Sequence, residues 1–490
     1  MERKTVLILT VFAVAAFIFR SYLLPTHLFF GPEQGKDFLV IRDIVVSHKM
    51  TLIGPKTDVS GIFHGPIYYY FATIPFALSK GNPLWVAYFM IALQALTVYV
   101  LFFLGKSFTN KNRTGYIAAL LFVCSFGSIV YARWISGQPL TFPLVTLFYL
   151  GIIQFLRGKK WYLLLSAVSF GLCGQAEFMN FLLLTTTGIS IVLFYHKKFF
   201  GPMLPLSLVS LVIALVVSLG NFLLFDLRHE FLIMKSIGGL LTGNAEHHIS
   251  LISSFGSVIT MFTAVINDLL GIPYVWMSGI VLCLFFYSLW VFRTKKEVLI
   301  IASGIIIPLL TLVILRRGVL EQLYLPILIP FLVYGSYVID RVYEAKKKIG
   351  IVILVSFVCV NLYTIYTCLP SNTRVFFQSP QPYVRYSDQI AVIHDIYRKA
   401  EGNPFGIQTY TIPYFWQDGW TYLFWWQGTI KYGYIPNEKD DKRLYVIIQR
   451  DRNNPDFQNN WLLKTVPTWG NLTYVFEKGE YRVEERLKEN

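Results

Sequence analysis

The most regular feature of the chain is a series of long apolar runs separated by polar connections. A helix rises about 1.5 Å per residue, so about twenty apolar residues cross a hydrocarbon core of roughly 30 Å. Runs that approach this length occupy residues 5–24, 84–105, 114–132, 139–156, 161–176, 180–195, 202–225, 273–292, 298–315, 323–339 and 349–368. The pattern therefore predicts an all-α polytopic membrane domain with about eleven transmembrane helices.

Basic residues concentrate in alternate connections between these runs. Lysine and arginine are enriched on the cytoplasmic side of membrane proteins. The basic connections carry Lys106, Lys111 and Arg113; Arg157, Lys159 and Lys160; Lys197 and Lys198; Arg293, Lys295 and Lys296; and Arg341 with Lys346, Lys347 and Lys348. This distribution predicts a cytoplasmic N-terminus, and it places the long connections 25–83 and 226–272 and the C-terminal segment outside.

The first outer connection contains two shorter apolar patterns. Residues 66–78 are too few to cross the membrane, so we expect a helix at its outer surface. Before it, apolar residues recur at helical spacing opposite charged ones, at Phe38, Ile41, Ile44 and Val45. We expect a second, amphipathic helix there, beginning after Pro32 and Gly35.

The composition becomes that of a soluble domain after residue 368. A helix pattern runs from Ser387 to Gly402, and strand patterns follow at residues 405–412, 444–448, 472–476 and 481–483. The sequence therefore predicts a membrane domain at residues 1–368 and a small extracytoplasmic α/β domain at residues 369–490.

Composition and charge agree with this division. Hydrophobic residues make up 55% of the chain and charged residues 14%, which excludes a soluble protein. Of the net charge of +15, +14 belongs to residues 1–368, since residues 369–490 carry 15 basic and 14 acidic residues. Because the excess lies where orientation signals are expected, we expect no nucleic-acid partner. The five cysteines form no zinc motif or disulfide framework.

Polar residues cluster in two motifs of the first outer connection. The first reads Gly-Pro-Glu-Gln-Gly-Lys-Asp at residues 31–37, and the second reads Phe-His-Gly-Pro-Ile-Tyr-Tyr-Tyr at residues 63–70. A carboxylate at Glu33 or Asp37, beside the membrane and between apolar segments, has the environment of a general base. Alternatively, both carboxylates complement the positive N-terminal end of a helix. Pro32 and Gly35 favour a position of Glu33 before the helix.

These motifs, after a first span with a cytoplasmic N-terminus, resemble the beginning of bacterial GT-C membrane glycosyltransferases. The nearest group is glycosyltransferase family 39, with the protein O-mannosyltransferases and aminoarabinose transferases, and the resemblance in topology extends over the whole chain. It implies an enzyme of the plasma membrane that moves a hexose or pentose from a polyprenyl-phosphate donor to a lipid, glycan or protein acceptor on the outer face, with inversion at the anomeric carbon.

The resemblance also implies roles for individual residues. The catalytic carboxylate of the family falls on Glu33, one methylene longer than the usual aspartate, and Asp37 is the second candidate catalytic carboxylate. An acidic residue of the second motif falls on Phe63, which cannot bind a metal, so we assign no metal site although a divalent metal stays open. The lysine of that motif falls on His64, which could donate a hydrogen bond to phosphate.

Four arginines at outer ends of spans run against the positive-inside tendency: Arg133, Arg228, Arg316 and Arg317. A guanidinium can hold two phosphate oxygens at once, so they are candidates for donor binding. The family has a similar basic residue followed by Tyr-Leu-Pro, which here begins at Tyr324. The alternative is that these arginines extend to lipid headgroups.

Other functions remain open. An oligosaccharyltransferase or polysaccharide polymerase would share the architecture, and the residues Trp416–Trp420 contain the elements of an oligosaccharyltransferase signature in a different order, although they also suit aromatic packing. A transporter or flippase for lipid-linked sugars would show internal repeats, which we do not find. The cluster Glu246, His247 and His248 resembles a metal site only in composition.

Overall fold

The computed structural model describes residues 2–57, 59–241, 249–272, 274–316, 320–371, 384–437 and 442–488. Helices dominate the chain up to residue 371, and a small sheet lies near its C-terminal end. The predicted fold class is thereby confirmed.

The first part of the chain consists of consecutive helices. In order, they are α1 (Arg3–Ser21), α2 (Leu24–His27), α3 (Pro32–Ser47), α4 (Ile67–Leu78), α5 (Pro83–Ala95), α6 (Thr97–Thr109), α7 (Asn112–Cys124), α8 (Phe126–Ala132), α9 (Thr141–Leu156), α10 (Tyr162–Ala176), α11 (Phe178–Phe194), α12 (His196–Phe199), α13 (Leu204–Arg228), α14 (Leu232–Leu241), α15 (Leu251–Leu269), α16 (Val275–Val291), α17 (Lys296–Leu315), α18 (Leu325–Ala345) and α19 (Lys347–Ser371). Short 3₁₀ helices at Gln138–Leu140 and Glu321–Tyr324 precede α9 and α18.

Each predicted span contains at least one of these helices. Among the described residues, eight helical segments are long and apolar enough to cross a membrane, or nine if α7 and α8 count as one bent span. The predicted spans at 161–176, 180–195 and 273–292 correspond to the shorter apolar helices α10, α11 and α16. The protein is therefore a multi-pass membrane protein.

The predicted outer loop 226–272 contains a long helix that the sequence pattern does not predict. Helix α15 has nineteen residues and passes the same test of length and composition. The N–H of Ile249, just before α15, donates to the carbonyl of Arg316 at the end of α17, and Ser125 donates to the carbonyl of Leu269 at the other end. Polar residues such as Asn267 and Asp268 hid this helix, because they lower its average hydropathy and are buried only by tertiary packing.

The bend between α7 and α8 depends on a buried arginine. The two helices differ in direction by 61° at Ser125, which leaves the carbonyls of Phe122 and Val123 near the end of α7 without helical partners. Arg20 of α1 is fully buried and donates to both carbonyls, at 3.0 and 3.4 Å, while its Nε donates to Gln94. Arg20 thus supplies the hydrogen bonds that the bend removes.

The C-terminal part forms a four-stranded sheet with three helices. Its elements are α20 (Tyr386–Ala400), β1 (Gly406–Tyr410), α21 (Asp418–Gln427), β2 (Arg443–Gln449), α22 (Pro455–Lys464), β3 (Asn471–Lys478) and β4 (Tyr481–Leu487), with a π-helical turn at Gly428–Tyr432 and a 3₁₀ helix at Val466–Trp469. The strand order is β1-β2-β4-β3, in which β1 and β2 are parallel and the other pairs antiparallel. The predicted strands are all present.

Helices α3 and α21 join the membrane part to the C-terminal part. One apolar core contains Phe38 of α3, Phe76 of α4 and Tyr422 of α21, together with residues of the sheet. The helix backbones touch at two glycines, because a Cβ added to Gly35 would lie 2.3 Å from the main-chain nitrogen of Gly419. Only glycine at position 35 therefore allows this packing.

A Gly35→Ala variant tests the contact between the helices. The added methyl has no space against main-chain atoms, so we expect a loss of stability of about 1–3 kcal/mol, the usual cost of overpacking. Thermal unfolding and protease sensitivity of the C-terminal part in detergent would measure it. Gly188→Ala in α11 is the control, since no atom lies within 4 Å of its added Cβ. Equal stability of the two variants would contradict the close packing.

Candidate active site

The first carboxylate motif forms the start of α3. Pro32 occupies the first helical turn, where its missing N–H leaves no hydrogen bond unmade, and the Gln34 side chain accepts from the N–H of Gly31 at 3.1 Å. The expectation that Glu33 precedes the helix is therefore wrong, because Pro32 starts the helix rather than delaying it. Glu33 and Asp37 lie four residues apart on one face, with Cβ atoms about 6 Å apart as is usual for this spacing.

Asp37 lies in a buried environment. Its side chain is only 8% exposed, and the hydroxyl of Tyr69 in α4 donates to its Oδ1 at 2.8 Å. Burial, with a smaller contribution from the charge of Glu33, raises the pKa of Asp37 to about 7, while the Tyr69 hydrogen bond and Lys36 act in the opposite direction. The alternative interpretation of the sequence, a carboxylate that complements the helix N-terminus, does not account for this burial. The Asp37 carboxyl can gain or lose a proton near neutral pH.

Glu33 lies one turn earlier and is exposed. The pair thus combines a carboxylate open to water with a buried carboxyl on the same helix face. Such a pair suits proton transfer to or from a bound hydroxyl group, because one member is accessible and the charge state of the other depends on pH.

His64 belongs to a second polar group at the start of α11. Its Nδ1 accepts from the N–H of Phe178 at 3.1 Å and lies 3.4 Å from a carboxylate oxygen of Glu177. Since Nδ1 is an acceptor, the neutral ring carries its proton on Nε2 and the contact with Glu177 is not an ion pair. Glu177 is buried and also accepts from the Gln138 amide at 3.0 Å.

Tyr68 and Tyr69 of α4 link the two polar groups. Their ring centroids are 5.7 Å apart, and the Tyr68 hydroxyl donates to the carbonyl of Ile135, close to Gln138. A Cβ on Gly137 would lie 2.5 Å from the carbonyl oxygen of Ala176 and 3.4 Å from the Cβ of Tyr68. The structure therefore brings the Asp37 and His64 regions to opposite ends of one tyrosine pair.

The arginines predicted to bind phosphate have surroundings that differ from those of the Asp37 and His64 groups. Arg133 is buried and donates to the carbonyls of Arg20 and Tyr22 at the end of α1. The Nε of Arg316 donates to the carbonyl of Ile249 at 2.9 Å, but the side chain is exposed. Arg317 lies outside the described residues.

Tyr324 packs within the membrane part. It is fully buried, and its hydroxyl donates to the carbonyl of Val258 in α15 at 2.9 Å. This contact fixes α15 against the start of α18 and favours a structural role for Tyr324.

The residues near the site do not fit a divalent metal. Phe63 packs on Phe225 at a ring distance of 5.7 Å, in an apolar cluster. In the described parts of the chain, no three histidine, cysteine or acidic side chains come together as metal ligands do. Residues 246–248, the other candidate cluster, lie outside the described residues. We therefore derive no step through a metal.

Three residues of the site were not assigned from the sequence: Tyr69, Gln138 and Glu177. The run of three tyrosines in an apolar helix was the available signal for Tyr69, because a buried tyrosine hydroxyl usually finds a partner. Glu177 directly follows the last residue of α10, where a polar side chain is common. Its burial depends on packing between distant segments, which the sequence pattern does not report.

Comparison with solved structures identifies proteins of the same fold. The aminoarabinose transferase ArnT from Cupriavidus metallidurans bound to undecaprenyl phosphate matches 98% of this chain and 97% of its own, with a TM-score of 0.64 and 14% identity. Its apo structure matches with a TM-score of 0.63 and 12% identity over 97% of each chain. The Archaeoglobus fulgidus oligosaccharyltransferase in complex with Zn and sulfate matches 90% of this chain and 68% of its own, with a TM-score of 0.52 and 12% identity.

At the level of sequence, no protein-family model and no curated protein matches the chain. The similarity in structure, in contrast, extends over almost the full length of both chains for ArnT. Both solved neighbours are membrane glycosyltransferases of the GT-C class. The chain therefore shares the fold of these enzymes, as the resemblance of its sequence indicated.

Proposed function

We propose that the protein is a plasma-membrane glycosyltransferase that moves a sugar from a polyprenyl-phosphate donor to an acceptor hydroxyl on the outer face. The observation that carries this proposal is the pair Glu33 and Asp37 on the first outer helix, with Asp37 buried beneath Tyr69. The fold shared with ArnT, whose structure holds undecaprenyl phosphate, supports the class of donor. The cytoplasmic position of the N-terminus is part of the proposal.

In the proposed reaction, Glu33 acts as the general base. It takes the proton of the acceptor hydroxyl while that oxygen forms a bond to the anomeric carbon of the donor. The bond between this carbon and the phosphate oxygen breaks, and polyprenyl phosphate leaves with the electron pair. Attack opposite the leaving phosphate inverts the anomeric configuration.

Asp37 acts through Glu33 as a positioning residue. Two negative charges one helical turn apart repel each other, so an ionised Asp37 favours proton uptake by Glu33. Tyr69 holds the Asp37 carboxyl by its hydrogen bond. Asp37 thereby makes the action of the base dependent on pH near neutrality.

Of the predicted arginines that the structure describes, we favour Arg316 for the leaving phosphate. Among the described residues, only its Nε makes a hydrogen bond, to the carbonyl of Ile249, and its exposed terminal nitrogens can still hold phosphate oxygens. Arg133 is buried and directed at main-chain carbonyls. The Nε2 proton of His64 offers a further hydrogen bond.

A Glu33→Gln variant tests the base. The amide keeps the size of the side chain but accepts no proton, so we expect transfer from a polyprenyl-phosphate sugar to fall by roughly 10²-fold or more. Radiolabelled donor and purified protein in detergent would measure it. Asp43→Asn is the control, because Asp43 lies on the same helix and pairs with Arg42. Full activity of Glu33→Gln would rule out this role.

The raised pKa of Asp37 predicts a pH dependence of stability. The folded protein binds this proton more tightly than the unfolded chain, whose carboxyl has a pKa of 3.8. The free energy of unfolding should therefore fall as the pH rises from about 4 to about 7, and then level off. Thermal melts across this range should show the dependence in the wild type and a weaker one in Asp37→Asn. Parallel curves would contradict the burial of the carboxyl.

An Arg316→Lys variant tests phosphate binding. Lysine keeps the charge but loses the planar fork, so we expect the KM for the donor to rise roughly tenfold with little change in thermal stability. Arg228→Lys, another exposed arginine at the end of a long apolar helix, is the control. An unchanged KM in Arg316→Lys would indicate that this side chain extends to lipid headgroups.

A further inference from the structure

A cleft lies between the segment that precedes α3 and the C-terminal sheet. Its walls come from both parts of the chain, with Gly31 and Pro32 on one side and Gln389, Thr411, Trp416 and Gln449 on the other. It lies beside the site described above, because Gly31 and Pro32 directly precede Glu33. None of the roles assigned so far uses it.

The walls of the cleft are aromatic and amide-rich, and they contain no charged side chain. Trp416 is 56% exposed and offers an open ring face. Trp420 and Tyr481 pack edge to face at 5.1 Å and close the inner end. This combination of large apolar surfaces and a few polar groups is typical of small-molecule sites.

Two polar groups of the cleft have no protein partner in the described part of the chain. Gln449 is 6% exposed and Trp420 is 3% exposed, and neither the Gln449 amide nor the Trp420 indole N–H makes a hydrogen bond with any described residue. Neither group is among the described polar atoms that are cut off from solvent without a partner, so both reach the open space of the cleft. Their position in the wall of a cleft suggests that a ligand or water makes hydrogen bonds with them.

The position of Gln449 in the sheet adds an independent argument. Gln449 ends β2, and Thr411 follows the end of β1, the parallel neighbour of β2. Ligands of sheets with parallel strands commonly bind beyond the carboxyl ends of those strands. The cleft occupies this place.

We propose that this cleft binds an uncharged carbohydrate, which is the sugar portion of the acceptor. A sugar hydroxyl both donates and accepts hydrogen bonds, as the side-chain amide of Gln449 does. Gln389 already donates to the carbonyl of Phe30 at 3.2 Å. The C–H faces of a sugar ring pack on aromatic rings such as Trp416. A sugar bound here would present hydroxyls to the turn that carries Glu33. The assignment of this sugar to the acceptor rests on the proposed function, whereas the binding of carbohydrate does not.

The walls distinguish this ligand from two others. A phosphate or an acidic sugar would need a cation, and the cleft has none among its wall residues. An extended peptide would need an open strand edge or a charged partner for its ends. The residues of this sheet region that line the cleft, Thr411 after β1 and Gln449 in β2, lie instead at strand ends.

Direct binding to the full-length protein tests the proposal without catalysis. The protein in phosphatidylcholine nanodiscs would be titrated with neutral hexose trisaccharides, acidic trisaccharides and a serine-containing peptide, and tryptophan fluorescence would report binding. We expect saturable binding of a neutral trisaccharide only. Trp416→Ala should weaken it roughly tenfold or more, the size of a lost aromatic contact, and Gln449→Met should weaken it as well.

Phe457→Ala is the matched control, because Phe457 is an exposed aromatic residue of the same part of the chain that does not line the cleft. Its binding should equal that of the wild type. Three outcomes would each overturn the proposal. They are an equal loss of binding in Trp416→Ala and Phe457→Ala, preferred binding of the acidic sugar or the peptide, and no binding of any neutral sugar at millimolar concentration.

Two further measurements identify the source of the sugar and distinguish a failure of this proposal from a failure of the proposed function. A neutral glycolipid placed in the nanodiscs, compared with the free trisaccharide, shows whether the sugar comes with a lipid, and tighter binding of either one still supports carbohydrate binding. Glu33→Gln should bind the trisaccharide as the wild type does. If the wild type binds the trisaccharide but transfers no sugar, the proposed function is wrong and the carbohydrate site in the cleft stands. If the wild type transfers sugar to neutral glycans and Trp416→Ala does so equally well, the carbohydrate site in the cleft is wrong and the proposed function stands.

Discussion

The contact between the backbones of Gly35 and Gly419 determines where the chemistry of this protein can take place. It holds the helix that carries both carboxylates against a helix of the C-terminal part, with no space for a side chain between them. Aromatic rings close the junction, since Phe38 packs edge to face on Tyr422 at 5.0 Å. The C-terminal part is therefore a wall of the site, and a shift of α21 would move the carboxylates and the cleft together.

This placement explains the properties of Asp37. A buried carboxylate is costly unless it is neutralised or hydrogen-bonded, and Tyr69 provides one hydrogen bond. One neutral donor offsets only part of the cost of desolvation, so the proton is retained up to about pH 7. Glu33, one turn closer to water, avoids this cost. The two acids of this helix therefore differ in their exposure to water.

The sequence predicts the parts of the structure that local patterns determine. The apolar runs gave the membrane helices, and the strand pattern at 444–448 lies within β2 (Arg443–Gln449). The burial of Asp37 could not be predicted, because it depends on Tyr69, 32 residues later, and on α21 far along the chain. Helix α15 was missed for the same reason, since its polar positions are accommodated by tertiary contacts.

Three arginines near the ends of membrane helices show how backbone chemistry competes with ligand binding. Arg20 donates to carbonyls at the end of α7, Arg133 to carbonyls at the end of α1, and Arg316 to the carbonyl of Ile249. Carbonyls without partners are expensive in a membrane, and helix C-termini attract positive charge. A position that violates the positive-inside tendency is therefore weak evidence for a phosphate site. Exposure of the terminal nitrogens is stronger evidence, and it favours Arg316 over the two buried arginines.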